Sequence, residues 1–208
     1  MASSALLADI EPGWLTDGDA VLDVELAAHA RDSALGRRML AAWLAQGQAA
    51  ALFAPDPGRH PDTTRTRWPR QRLAALVRDI GVLAHAPAIR AETGRDPVRR
   101  LKAALGNGYL LALDRTVWDG HIEGAQQAVL AVGFARALAE STAADDPQPM
   151  HALFDAQGRA ELVAWARRRD PALADWCLLL HPPGPAPTAH LPEKPVLRVY
   201  THHDTRAA

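Results

Sequence analysis

The 208-residue chain has one cysteine, two lysines, one asparagine and no apolar run of about 18 residues. The lone Cys177 excludes an intramolecular disulfide and any cysteine cage around zinc. Without a long apolar run no transmembrane helix is expected. The first basic residue is Arg31, so no positively charged region precedes an apolar stretch and no export signal is expected. The simplest expectation is a soluble cytosolic chain. G-x-x-x-x-G-K-[ST], H-E-x-x-H and G-x-S-x-G are all absent, which removes the usual phosphate-loop, zinc-peptidase and serine-hydrolase signatures. Gly106-Asn107-Gly108 lacks the third glycine and the preceding strand of a dinucleotide fingerprint, and reads as a helix–helix turn. No cofactor and no metal site is expected.

In place of these features there are 43 alanines and 27 leucines, both strong helix formers. The expected class is all-α. The composition and punctuation predict one compact multi-helix domain over residues 1–181 and a Pro-rich extended tail over 182–208. Six prolines between 182 and 195 oppose regular helix there, and Val196–Tyr200 reads as a short terminal strand or a strap across the helices.

Local signals set the helix boundaries. Trp14 and Leu15 form a candidate anchor in an irregular start, and helices are expected over 19–31 and 33–53 with Ser33 as an N-cap. Leu35, Met39, Leu40, Trp43 and Leu44 fall on one stripe. After a Pro-rich loop over 54–68, Pro69 opens a helix in which Leu73, Leu76, Val77, Ile80, Leu83 and Ala84 keep a 3,4 period, ended or kinked by Pro87. Asp96–Pro97 and Asp170–Pro171 each read as a cap followed by a first-turn proline. Asp119 is a candidate cap for the helix carrying Ile122 to Leu138, and Gly158 a weak point in the helical stretch 150–169.

Charge is distributed unevenly. Residues 1–30 carry a net −6, residues 31–110 a net +8 and residues 111–208 a net −3. Such asymmetry steers partners or pairs segments, and solvated helix faces produce it equally well. Asp17, Asp19, Asp23 and Glu25 resemble the start of a calcium loop, but Val21, Leu22 and Ala28 occupy positions where ligands and glycine are required. Acids at a helix N-terminus account for them better. His85, at the end of an apolar face, reads as a satisfied core or capping histidine, and Cys177 as a small buried hydrophobe.

The most partner-like feature is Arg65, Arg67, Trp68, Arg70 and Arg72. Arginine and tryptophan are enriched at interface hot spots, so this cluster is a candidate docking surface. The same residues fit a nucleic-acid reading, with arginines on phosphates and Trp68 stacked on a base. A solvated helix entrance whose tryptophan turns inward is the third reading.

The order Leu73-x-x-Leu76, Gly81, His85, Ile89-Arg90, Pro97, Leu101, Leu105, Gly106 resembles the central segment of the SctK/YscK family, accessory adaptors of bacterial type III secretion systems. The resemblance covers about residues 70–140 and extends loosely to 180 through Gly133-Phe134-Ala135 and Asp175-Trp176-Cys177. It implies a helical, non-enzymatic protein of the sorting platform, at the cytoplasmic face of the inner membrane. Its implied partners are a SctQ-type pod protein and the cytoplasmic domain of a SctD-type ring protein. Neither nucleic-acid binding nor direct membrane insertion is implied. The alternative is a helical nucleic-acid-binding or regulatory protein using residues 65–72.

Overall fold

The computed structural model describes residues 2–16, 22–47, 49–53 and 68–205, and these fold as an all-α, multi-helix protein. In chain order the helices are α1 (Ala2–Asp9), α2 (Gly13–Thr16), α3 (Val24–Asp32), α4 (Ala34–Gln46), α5 (Ala50–Phe53), α6 (Arg70–Ala84) and α7 (Ala86–Ala91). They continue with α8 (Arg95–Leu105), α9 (Gly108–Leu113), α10 (Gly124–Ala144), α11 (Gln148–Arg169), α12 (Pro171–Leu179) and α13 (Glu193–Thr205). Among the described residues none of these is long and apolar enough to cross a membrane. The chain divides into two compact units, one of residues 1–73 and 163–185, the other of residues 74–162 and 186–208.

The first unit is organised on α12. Asp170 caps it by accepting from Leu173 N at 3.1 Å, with Pro171 in the first turn, as the sequence predicts. Leu173, Ala174, Trp176, Cys177 and Leu179 are buried, and the Trp176 indole donates to Trp68 O at 3.2 Å. The carbonyls that end a helix have no partner within it. Here they are met from outside. The Trp14 indole donates to Leu178 O and His181 O, Glu11 N to Leu179 O, and Arg70 Nη2 to Leu180 O at 2.7 Å. Trp14 and Leu15 are thus the anchor their residue types suggested. Asp175 accepts from Ala51 N and Leu52 N and so caps the short α5, while burial holds its carboxyl above the usual range against those two bonds.

In the same unit α3 and α4 form a hairpin with a one-residue corner. Ser33 ends α3 and caps α4, accepting from Gly36 N at 2.9 Å. Gly36 permits the tight return, since a Cβ there would lie 2.3 Å from Ala30 O. Asp23, not a residue near 19, caps α3, and the expected single helix over 33–53 breaks at Gly47, with α5 resuming at Ala50.

The second unit is organised on the crossing of α6 with α11. Leu76, Val77, Ile80, Val82, Leu83 and Ala84 are fully buried. At the crossing the two helices come together at glycines. A Cβ on Gly81 would sit 1.8 Å from Phe154 O, and one on Gly158 would sit 1.8 Å from Val77 O. Gly158 is therefore no weak point: α11 runs unbroken through it, and the missing side chain is what admits the neighbour's backbone. His85 is buried, donates from Nδ1 to Gly81 O at 3.0 Å and meets Phe154 edge-on, confirming a satisfied core histidine. Arg90 donates to three carbonyls, Ala112 O at 2.7 Å and Trp118 O and Asp119 O at 2.9 Å each, tying down the end of α9 and the loop after it. Gly106, at φ +52, makes the expected turn. Asp119 does not cap α10; it accepts from His121 N instead, and α10 starts at Gly124. Likewise α8 starts from Gly94, two residues ahead of the Asp96–Pro97 signal.

The C-terminal expectation needs the largest correction. Residues 181–192 are irregular, but 193–205 are helix α13, neither extended tail nor strand. Pro195 is the third residue of α13, within the turn whose N–H groups have no helical acceptor, so it costs no bond. Val196, Val199 and Tyr200 are buried at helical spacing, a face that in isolation reads as β-prone.

Candidate functional site

Of the predicted docking cluster, Arg65 and Arg67 lie outside the described residues. Trp68 is only 4% exposed, with its ring under the Arg72 guanidinium at 3.6 Å. Arg70 is committed to the carbonyl end of α12 and lies 3.4 Å from Glu11. The inward-turned tryptophan is therefore the arrangement found for these three residues. Trp68 offers neither a stacking platform nor a hot-spot side chain.

The second unit holds two groups of polar side chains, and in both the polar atoms serve the fold. The Glu161 carboxylate is buried on α11. It accepts from Gln157 Nε2 (2.8 Å), His190 N (2.9 and 3.0 Å) and Leu191 N (2.9 Å), with His190 Nδ1 at 2.8 Å. Gln157 also donates to Thr188 O at 3.0 Å. Both oxygens are thus spent on fixing the segment around residues 188–191 against α11, a structural use of a buried carboxylate. The second group borders a cavity of about 450 Å³ lined by Asp79, Asn107, Asp114, Arg198 and His202. Its charges are also engaged. Asp79 holds His203 Nε2 at 2.8 Å, Arg198 donates to Thr116 O, and Asp114 accepts from Thr116 N; the Thr116 side-chain hydroxyl first, and that backbone bond second, lower the Asp114 carboxyl below its usual range. Among the described residues no set of three or more His, Cys, Asp or Glu is placed to hold a metal.

The feature that stands apart lies in the first unit. The α3–α4 hairpin encloses a groove of about 630 Å³ whose walls are Leu22, Leu26 and Ala30 on one side and Leu35, Met39 and Trp43 on the other, with His29 at its edge. The α4 stripe predicted as a single apolar face is split. Leu40 and Leu44 are buried, whereas Leu35, Met39 and Trp43 are 61%, 65% and 39% exposed. Leu26 on α3 is 55% exposed. Periodicity identified the apolar residues but not how many of them the fold covers. A contiguous exposed patch of large apolar side chains is a mark of an interaction surface. Comparison of the chain with protein-family models, curated proteins and solved structures finds no match.

Proposed function

We propose that the chain is a non-enzymatic adaptor of a bacterial type III secretion system, linking a SctQ-type pod protein to the cytoplasmic domain of a SctD-type inner-membrane-ring protein. The observation that carries the reading is the α3–α4 groove, where leucine, methionine and tryptophan side chains of one hairpin stand in solvent. Exposing them costs hydrophobic stabilisation that a bound partner would recover. The residues behind the family resemblance support the same reading, because they have architectural roles. Leu73, Leu76, Ile89 and Leu101 are core, Gly81 is a helix crossing, His85 is a buried hydrogen-bonded ring, Arg90 ties three carbonyls and Gly106 makes a turn. On this reading the protein works at the cytoplasmic face of the inner membrane through protein contacts. The nucleic-acid alternative drew on Trp68 stacking on a base beside the arginines of 65–72, and the burial of Trp68 removes the stacking part of that support.

The test is gentle crosslinking of the tagged protein in its own host, with identification of what co-purifies near physiological salt. Recovery of a pod protein and a ring protein is expected. Recovery of neither, with nucleic acid or a metabolic enzyme in their place, overturns the proposal.

A further inference from the structure

The groove between α3 and α4 also specifies the chemistry of what fills it. Its walls are two helices whose backbone groups are already paired within the helices, and its lining is apolar. An extended peptide laid there would find no strand edge to pair its own N–H and C=O groups. An occupant that satisfies its backbone internally, an α-helix, pays no such penalty. The two wall helices have 9 and 13 residues, so the groove accepts roughly 15–20 Å of helix, about three turns. Three turns present apolar anchors at i, i+3 or i+4, and i+7 to the facing row of Leu35, Met39 and Trp43, which are themselves spaced by four.

The rims add a charge pattern. Helical periodicity puts Glu25 and Asp32, seven residues apart and both exposed, along the outer edge of α3 beside the groove-lining Leu22, Leu26 and His29. On α4 the corresponding edge carries the exposed Arg38. The acidic rim disfavours an anionic membrane surface.

We infer that the α3–α4 groove is a docking site for an amphipathic helix of a partner protein, with Lys or Arg along the edge that lies on α3 and Glu or Asp along the edge that meets Arg38. This inference rests on the adaptor reading for the partner's identity but not for its chemistry.

The test uses the full chain and synthetic Ala-rich helices of about 18 residues, long enough to hold helix in water. One carries a Leu stripe with Arg on one edge and Glu on the other, a second has Glu on both edges, and a third has the first composition scrambled. The first is expected to bind at least about tenfold more tightly than the other two at low salt, with the preference over the all-Glu helix shrinking as salt rises. Leu26→Asp or Met39→Asp should weaken binding at least about tenfold while leaving the melting temperature in place, because both side chains are solvent-exposed. Glu25→Arg with Asp32→Arg should shift the preference to the all-Glu helix. Equal binding of all three helices, or binding unchanged in L26D and M39D, overturns the inference. So does a chain that sediments as a dimer and is split by M39D, since a second copy would then fill the groove. If the helices fail while pod and ring proteins still co-purify, the groove inference falls and the adaptor reading stands.

Discussion

Where α6 crosses α11 there is no room for a methyl group, while between α3 and α4 there is room for a helix. Both regions are built from the same alanine- and leucine-rich material, and both use a glycine to bring backbones together. They differ in what happens to the large side chains. Around the crossing, Leu76, Ile80, Leu83 and Phe154 are buried with their neighbours; at the hairpin, Leu35 and Met39 are left in water. Composition therefore does not separate a scaffold region from a recognition region in this protein. Coverage does, and substitutions in the two places should fail in different ways.

The largest effect is expected at the crossing. Gly81→Ala or Gly158→Ala forces a carbon to within 1.8 Å of a carbonyl oxygen, so helices must separate. Loss of about 4 kcal/mol or more, or loss of cooperative unfolding, is expected in urea melts followed by circular dichroism. Gly124→Ala, where nothing lies within 4 Å of the added carbon, should be neutral or slightly stabilising.

Acid should act on the same region. Burial pushes the His85 pKa down from 6.5 to about 4, helped by nearby His190 and opposed by its bond to Gly81 and by Glu161. Because the folded pKa lies below the unfolded one, the unfolded chain takes up the proton first. His85's share of stability is whole above pH 6.5, falls as pH drops towards 4 and is flat below that. The full loss is on the order of 3 kcal/mol. Urea midpoints across pH 4–7 should show this slope, and His85→Leu should remove it; an unchanged slope in the variant would assign it to other groups.

A smaller cost is expected for Arg90→Lys. One ammonium cannot reproduce the planar fork that serves Ala112, Trp118 and Asp119, so about 2 kcal/mol should go, with hydrogen exchange rising around residues 112–120. The smallest effect belongs to the groove. Leu35→Ser should change the unfolding free energy by no more than about 0.5 kcal/mol, because the side chain is already mostly exposed. A large destabilisation there would mean that the groove is closed by this chain itself in solution.

Much of the architecture was legible in the sequence for local reasons. Ser33, Asp170–Pro171 and Gly106 are signals complete within a few residues, and each holds. The buried face of α6 follows from its period, and His85 from its place on that face. What failed depended on distant partners. Trp68 stays open among three readings in the sequence, and its burial, beside a backbone carbonyl that accepts from the Trp176 indole more than a hundred residues on, selects the inward-turned one. Gly158 reads as a helix breaker unless the backbone of Val77 is known to lie against it. The proline run hid α13, since Pro195 is disruptive only if it is not in a first turn. The candidate site was half legible: the α4 stripe was seen, but spacing alone cannot tell a covered face from an open one.

The carboxylate of Glu161 has one more consequence, for the order of events during synthesis. Two of its donors are backbone N–H groups of His190 and Leu191, made some thirty residues later. Until the ribosome reaches them, the acid on α11 has only Gln157 to hold, and the second unit lacks α13 as well. The first unit is equally delayed, because α12, on which it is organised, also comes late. Neither unit can be finished before its late residues, 163–185 for the first and 186–208 for the second, have been made, so the two units close together rather than as domains completed one after another.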